Sequence, residues 1–267
     1  MNFIESVQKM KVEDNSVAIS WIGQAGFILK TSQGKLIAID PYLSDCVYRL
    51  LKDIHGLGFK RLMPALFNPE EIAFDYIFCS HEHPDHLDID SVNAFLSNGK
   101  TKLLGNEASI EMVKKINSSG NQLLTLKRGD VMQCEEFKLY VTDADHGEEA
   151  KEALGFVFDL GFVKVYFSGD TCYNKNALKK VIDLKPEVAL LPINGAFGNL
   201  DARAASHLAA DLGSRLCIPC HFWTFPMHLG NPQEAIGQFE KNAPGCELLL
   251  MYQGETFIYQ AGNTEVR

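Results

Sequence analysis

The chain has 267 residues, 46% of them hydrophobic, which is enough apolar material for one large core or two fused halves. Its formal charge of -9 argues against phosphate-backbone partners, which demand clustered Lys and Arg, so no nucleic acid is expected. Acidic residues stand in the first sixteen positions where a secretory signal needs an apolar run, and no later apolar stretch is long enough to span a bilayer.

The expectation is a soluble, cytoplasmic protein with no membrane partner. The seven cysteines are scattered and odd in number, which fits a reducing compartment better than a disulfide scaffold.

In chain order, residues 17–22 and 27–30 read as strands flanking Gly23-Gln24-Ala25-Gly26, a hairpin with a glycine-rich turn. A third strand over 35–40 ends on Asp40. Residues 43–74 read as irregular, because Gly56, Gly58, Pro64 and Pro69 break any long helix, and a segment of this length suits a lid or substrate-facing loop. A buried strand over 75–80 then runs straight into His81-Glu82-His83-Pro84-Asp85-His86. Helices follow over 88–97, with Asp88 as cap, and over 106–117.

Further strands are expected near 121–125, 137–142, 154–160, 163–168, 187–191, 215–219, 246–251 and 255–260, with helices near 175–183, 201–213 and 232–241. No repeat, low-complexity tract or Pro/Gly/Ser-rich linker divides them. The chain therefore reads as a single domain, 1–267, with a mixed α/β sandwich architecture.

The cluster at 81–86 packs three imidazoles and a carboxylate into six residues, the donor types that zinc, manganese and iron accept. The bland reading is a solvated polar loop. Five apolar strands share a further regularity: each delivers a candidate ligand, or a carboxylate able to hold one, at its C-terminal end. These residues are Asp40, His81, His146, Asp170 and His221. Strand ends of this kind are where open α/β folds place their sites. Cys217-Ile218-Pro219-Cys220 has redox or zinc spacing, but lies in an apolar strand whose residues three apart face opposite sides, so a structural role is the expectation.

The order Asp40, His81-x-His83-x-Asp85-His86, His146, Asp170, His221 resembles the motif signature of the metallo-β-lactamase superfamily over about residues 17–260. The resemblance implies a four-layer αββα sandwich, two mixed β-sheets face to face with helices outside and a metal site at one edge.

Trp21–Gly26, Ser80–Asp88, Ser168–Thr171 with Tyr173, and Ile218–His221 with Trp223 look most like the L-ascorbate-6-phosphate lactonase branch and related metal-dependent hydrolases. Phosphodiesterases that release N-acylethanolamines are similar around Gly169–Thr171, Pro192–Gly195 and His221. Gln24 departs from the pattern, since related sequences often carry His there. His146 restores a general superfamily ligand that the lactonase itself lacks.

By this resemblance His81, His83 and His146 hold one divalent cation and Asp85, His86 and His221 a second, with Asp170 bridging; zinc or manganese is expected, and iron also suits the donors. Hydroxide generated at such a centre is the implied nucleophile, with Asp85, His86 and Asp170 carrying catalysis. Asp40 is cast as the carboxylate that orients a ligating histidine, against a plain turn role before Pro41.

His228 is either a substrate contact or proton donor, or a surface residue. Tyr173, Asn194 and Trp223 follow motif positions and are expected to line the pocket. Arg61 binds a substrate anion or pairs with Glu70 or Glu71.

The chain thus reads as a metal-dependent hydrolase of a small anionic ester or lactone. A phosphodiesterase is the alternative chemistry, and a non-catalytic metal-binding protein the alternative class.

Overall fold

The computed structural model describes residues 2–117 and 120–262. Among them, fourteen strands form two seven-stranded sheets. The first sheet carries β1 (Ser16–Gly23), β2 (Gly26–Thr31), β3 (Leu36–Ile39), β4 (Tyr76–Cys79), β5 (Lys102–Gly105) and β6 (Leu123–Thr125) in spatial sequence, with β14 (Thr256–Gln260) beside β1. The second runs β7 (Val131–Gln133), β8 (Lys138–Asp143), β9 (Leu154–Asp159), β10 (Lys164–Phe167), β11 (Val188–Pro192), β12 (Leu216–Cys220) and β13 (Glu247–Leu248). The helices are α1 (Phe3–Lys9), α2 (Cys46–His55), α3 (Ile89–Leu96), α4 (Glu107–Lys114), α5 (Lys179–Leu184), α6 (Ala202–Leu212) and α7 (Pro232–Asn242).

The central strands β1 to β4 and β9 to β12 are buried on both faces and are mostly apolar, and their alternation sorts side chains between two cores. Val17, Ile19 and Trp21 of β1, Phe27 and Leu29 of β2, and Phe78 of β4 point to the core between the sheets. Ile28, Ala38, Ile77 and Leu103 point the other way, into a core shared with α1, α3 and α4. On the outer face of the second sheet, α5, α6 and α7 contribute Val181, Leu208 and Phe239. The result is the expected αββα sandwich.

Both sheets are mixed. β3 to β6 are parallel, as are β10 to β13, while β1, β2, β8 and β9 pair antiparallel. β8 and β10 both run antiparallel to β9, so β8, β10 and β12 share one direction and finish at one edge. Leu154 N–H donates to the Ser80 carbonyl at 2.9 Å and His221 N–H to the Gln24 carbonyl at 2.8 Å, which ties the two sheets together at that edge.

Four sequence expectations are corrected. Residues 43–74 are not wholly irregular: α2 forms over Cys46–His55, and its breakers act only after it, with Gly56 at φ 55° ending the helix. The helix expected near 175–183 begins only at Lys179, because the Asn174 side chain accepts from the N–H groups of Asn176 and Ala177 and holds those residues in a turn. Of the strand expected near 246–251, only Glu247–Leu248 pairs with β12. The strand near 121–125 shortens to β6 after a 3-10 turn at Gly120–Gln122.

No helix among the described residues is long and apolar enough to cross a membrane. The seven cysteines are free thiols, six of them buried, with Cys172 half-buried. Burial pushes the Cys217 and Cys220 thiols well above their usual range, so both are protonated near pH 7.

Candidate metal centre

Three strand ends turn inward through left-handed backbone: Gln24 past β1 (φ 52°), Asp40 past β3 (φ 43°) and His221 past β12 (φ 58°). A non-glycine residue in that region costs roughly 1–2 kcal/mol, so the surrounding contacts have to hold it. At Asp40 they do. Oδ1 accepts from Ser80 N–H at 2.7 Å, and Oδ2 accepts from Ser80 Oγ at 2.5 Å and from His86 Nδ1 at 2.6 Å. Asp40 is fully buried, and its bond fixes the His86 ring with Nε2 facing the site.

The same chain of donors settles the next histidine. Ser80 Oγ gives its proton to Asp40, so at 2.9 Å it accepts from His81 Nδ1–H, and the His81 Nε2 lone pair faces the site. His83 Nε2–H donates to the Glu149 carbonyl at 3.1 Å, which leaves Nδ1 as its lone pair. His81 Nε2 and His83 Nδ1 are then two acceptors 2.9 Å apart, an arrangement that calls for a cation between them.

Ligand atoms of His81, His83 and His146 lie within 4.8 Å of one another; so do those of His81, His86 and Asp170, and those of Asp85, His86 and His221. His86 Nε2 stands 3.3 Å from Asp170 Oδ1, yet both atoms are buried without an aligned hydrogen bond. Asp170 Oδ2 is held by Asn199 Nδ2 at 2.7 Å. His221 Nε2 lies 3.4 Å from both Asp85 Oδ2 and Asp170 Oδ1. The donor set therefore fits divalent cations: nitrogen-rich, converging, and short of partners from the protein.

Electrostatics divide the site. Burial, reinforced by His86, holds His81 well below the usual imidazole range, and burial likewise lowers His146. Both are neutral near pH 7 and ready to ligate. Burial also opposes charge on His86 and His221, but Asp170 and Asp85 outweigh it, raising His86 well above its ordinary value and His221 to about 9. The carboxyls respond in kind: against the upward push of burial, His86 and His221 hold Asp85 and Asp170 below the carboxylate range.

Around this centre the remaining candidates scatter. His228 is buried, not a surface residue, with its ring 5.4 Å from that of His221 and packed edge-on to Phe59, Phe197 and Phe225; Nδ1 has no protein partner. Asn194 is also buried, and both of its amide atoms lack a protein partner.

Tyr173 turns instead to α6, donating to Asp211 at 2.5 Å and stacking on His207. Trp223 is 57% exposed and lines a groove of about 480 Å³ with Trp21, Met63 and Tyr252. Arg61 reaches neither Glu70 nor Glu71; it donates to the Tyr42 and Met63 carbonyls and lies over the Tyr42 ring.

Three further residues belong to the site: Ser80, Asn199 and Gln24. Ser80 was within the motif but carried no role. Gln24 showed only as a departure from a related pattern, and Asn199 had no sequence signal.

Sandwich and ligand edge together define a metallo-β-lactamase fold. A profile described as a beta-lactamase superfamily domain matches residues 18–221. A UPF0173 metal-dependent hydrolase of Rubrobacter xylanophilus is 30% identical over 243 residues, 84% of this chain and 88% of its own. Another, of Herpetosiphon aurantiacus, is 26% identical, covering 92% of this chain and 99% of the relative.

The chain belongs to the UPF0173 metal-dependent hydrolase family of the beta-lactamase superfamily. Among solved structures, Igni18, a metallo hydrolase from Ignicoccus hospitalis, shares the fold at TM-score 0.69 and 22% identity over 92% of this chain and 99% of that one. An isothiocyanate hydrolase from Delia radicum gut bacteria does so at TM-score 0.69 and 20% identity, over 91% of this chain and 99% of that one.

Proposed function

We propose that this protein hydrolyses a small, anionic lactone or ester at a centre of two divalent cations, zinc or manganese. His81, His83 and His146 would hold the first cation, Asp85, His86 and His221 the second, and Asp170 would lie between them. The observation that carries this reading is the facing pair of acceptors, His81 Nε2 and His83 Nδ1, beside the unpartnered His86 Nε2 and Asp170 Oδ1. When bound, the cations supply Lewis acidity and a water ionisable near pH 7.

The chain's own residues supply the rest. Asp40 orients His86 and, through Ser80, His81. Asn199 holds Asp170 Oδ2 and leaves Oδ1 facing the site. His228 Nδ1 and the Asn194 carboxamide, buried and unpartnered, stand ready for the leaving oxygen and the substrate's polar groups. Burial keeps His228 neutral near pH 7, so it would offer the leaving oxygen a hydrogen bond from a ring N–H and not the proton of an imidazolium.

The test compares turnover of a phosphorylated sugar lactone and of bis(p-nitrophenyl) phosphate, each with and without chelator. Chelator-sensitive lactone opening alone is the expected result. Cleavage of the diester alone would replace this reading with a phosphodiesterase.

A further inference from the structure

Gln24 is fully buried and touches the second cation set directly, although it carries no charge and belongs to no ligand motif. Its Nε2 donates to Asp85 Oδ2 at 2.8 Å and lies 3.1 and 3.3 Å from the two ring nitrogens of His221. Its backbone is fastened as well. Gln24 N–H donates to Thr224 Oγ1 at 3.1 Å, and its carbonyl accepts from Trp21 Nε1 at 3.0 Å and from His221 N–H at 2.8 Å.

We propose that Gln24 is a positioning residue for the second cation site, its carboxamide clamping the Asp85 carboxylate and the His221 ring in ligating geometry. The inference rests on the assignment of Asp85, His86 and His221 to a cation.

The carboxamide cannot turn over, because Oε1 in the place of Nε2 would set two acceptors against each other at the Asp85 contact. Oε1 is left buried without a protein partner, the mark of a group held in place for what it does at a site. An amide has no proton to lose near pH 7, so its bond to the ionised Asp85 carboxylate persists whatever the protonation of His221.

Location adds a further point. Asp85 belongs to the segment following β4 of the first sheet and His221 to the end of β12 of the second. Gln24 touches both. In the first set, His81 is held instead by Ser80 and His83 by the Glu149 carbonyl. Loss of the clamp should therefore separate the two sites.

The experiment is a stepwise Co(II) titration of the metal-free protein, followed by visible spectra and calorimetry, for wild type, Gln24→Met and Gln24→His. Met keeps the length and drops the donor, while His offers a ring N–H. Wild type is expected to bind in two steps. Gln24→Met should leave the first unchanged and weaken the second by about 10–100-fold, and Gln24→His should regain most of that loss.

An unchanged second step in Gln24→Met, or equal weakening of both steps, overturns the proposal. A wild type with no second step overturns the cation assignment itself, and this inference with it. Should Gln24→Met fail to fold, the Gln24 side-chain NH2 resonances of the wild type decide. They are expected to move with the second equivalent of Zn(II), and movement only with the first equivalent, or none, overturns the clamp.

Discussion

One carboxylate, Asp40, supports two histidines, directly for His86 and through Ser80 for His81. Asp40→Ala should lower metal affinity by about 10–100-fold, because ligating rings lose the group that fixes their tautomer. Metal content after dialysis against buffered Zn(II) checks this, and full retention would show that the rings are held by other means.

His228 makes a prediction that needs no metal. Burial, with His221 adding to it, lowers its pKa from 6.5 to about 4, so the folded state favours the neutral ring. That contribution is fully present above the unfolded pKa of about 6.5 and is lost as pH falls from there towards 4; its ceiling is on the order of 3 kcal/mol. Denaturant unfolding of the metal-free protein between pH 7 and 4 should show wild type losing stability more steeply than His228→Phe. Parallel slopes would contradict the assignment.

Among the elements, β4 does the most to place the site, since it runs directly into Ser80 and His81. Its Phe78 packs against Phe137, Phe156 and Phe158 between the sheets. Phe78→Ala should cost about 3–5 kcal/mol in denaturant unfolding, the range for emptying a buried aromatic site. At the start of α6 the Asp201 side chain accepts from Ala204 N–H at 2.7 Å. Asp201→Ala should cost about 1 kcal/mol, since one helix-end donor loses its partner.

The element scale also shows what the sequence could carry. β1 to β4, β8 to β12 and β14 were legible because apolar runs bounded by glycine and polar residues are local signals, and the segments after them carry the candidate ligands. The short strands β5 and β7 went unread. At three or four residues they carry too little periodicity, and they exist because a neighbouring strand completes their hydrogen bonds. α2 was missed because the breakers just beyond its end outweighed the helical spacing of Val47, Leu50, Leu51 and Ile54 in a segment read as a whole. Gln24, Asn199 and the turned-away Tyr173 were beyond reach, since their partners lie 29 to 197 residues distant along the chain and the partner alone gives each its role.

At the scale of the whole molecule, the site is a seam. Candidate ligands from both sheets meet at one edge, held by bonds such as Leu154 to Ser80 and His221 to Gln24. Cations bound there would cross-link the two halves and stabilise the fold by mass action, about 2.7 kcal/mol for each site at a free-metal concentration one hundred times its dissociation constant. Chelation should accordingly lower the melting temperature, and Zn(II) or Mn(II) should restore it.

Anomalous diffraction from crystals grown with Zn(II) tests most directly whether His81, His83, His146, Asp85, His86, Asp170 and His221 form the proposed two-cation centre. Two peaks are expected, one about 2.0–2.2 Å from nitrogens of His81, His83 and His146, the other equally close to Asp85, His86 and His221. Absence of both peaks, or metal found only at the separate cluster of Cys46, Asp88 and Asp90, would contradict it.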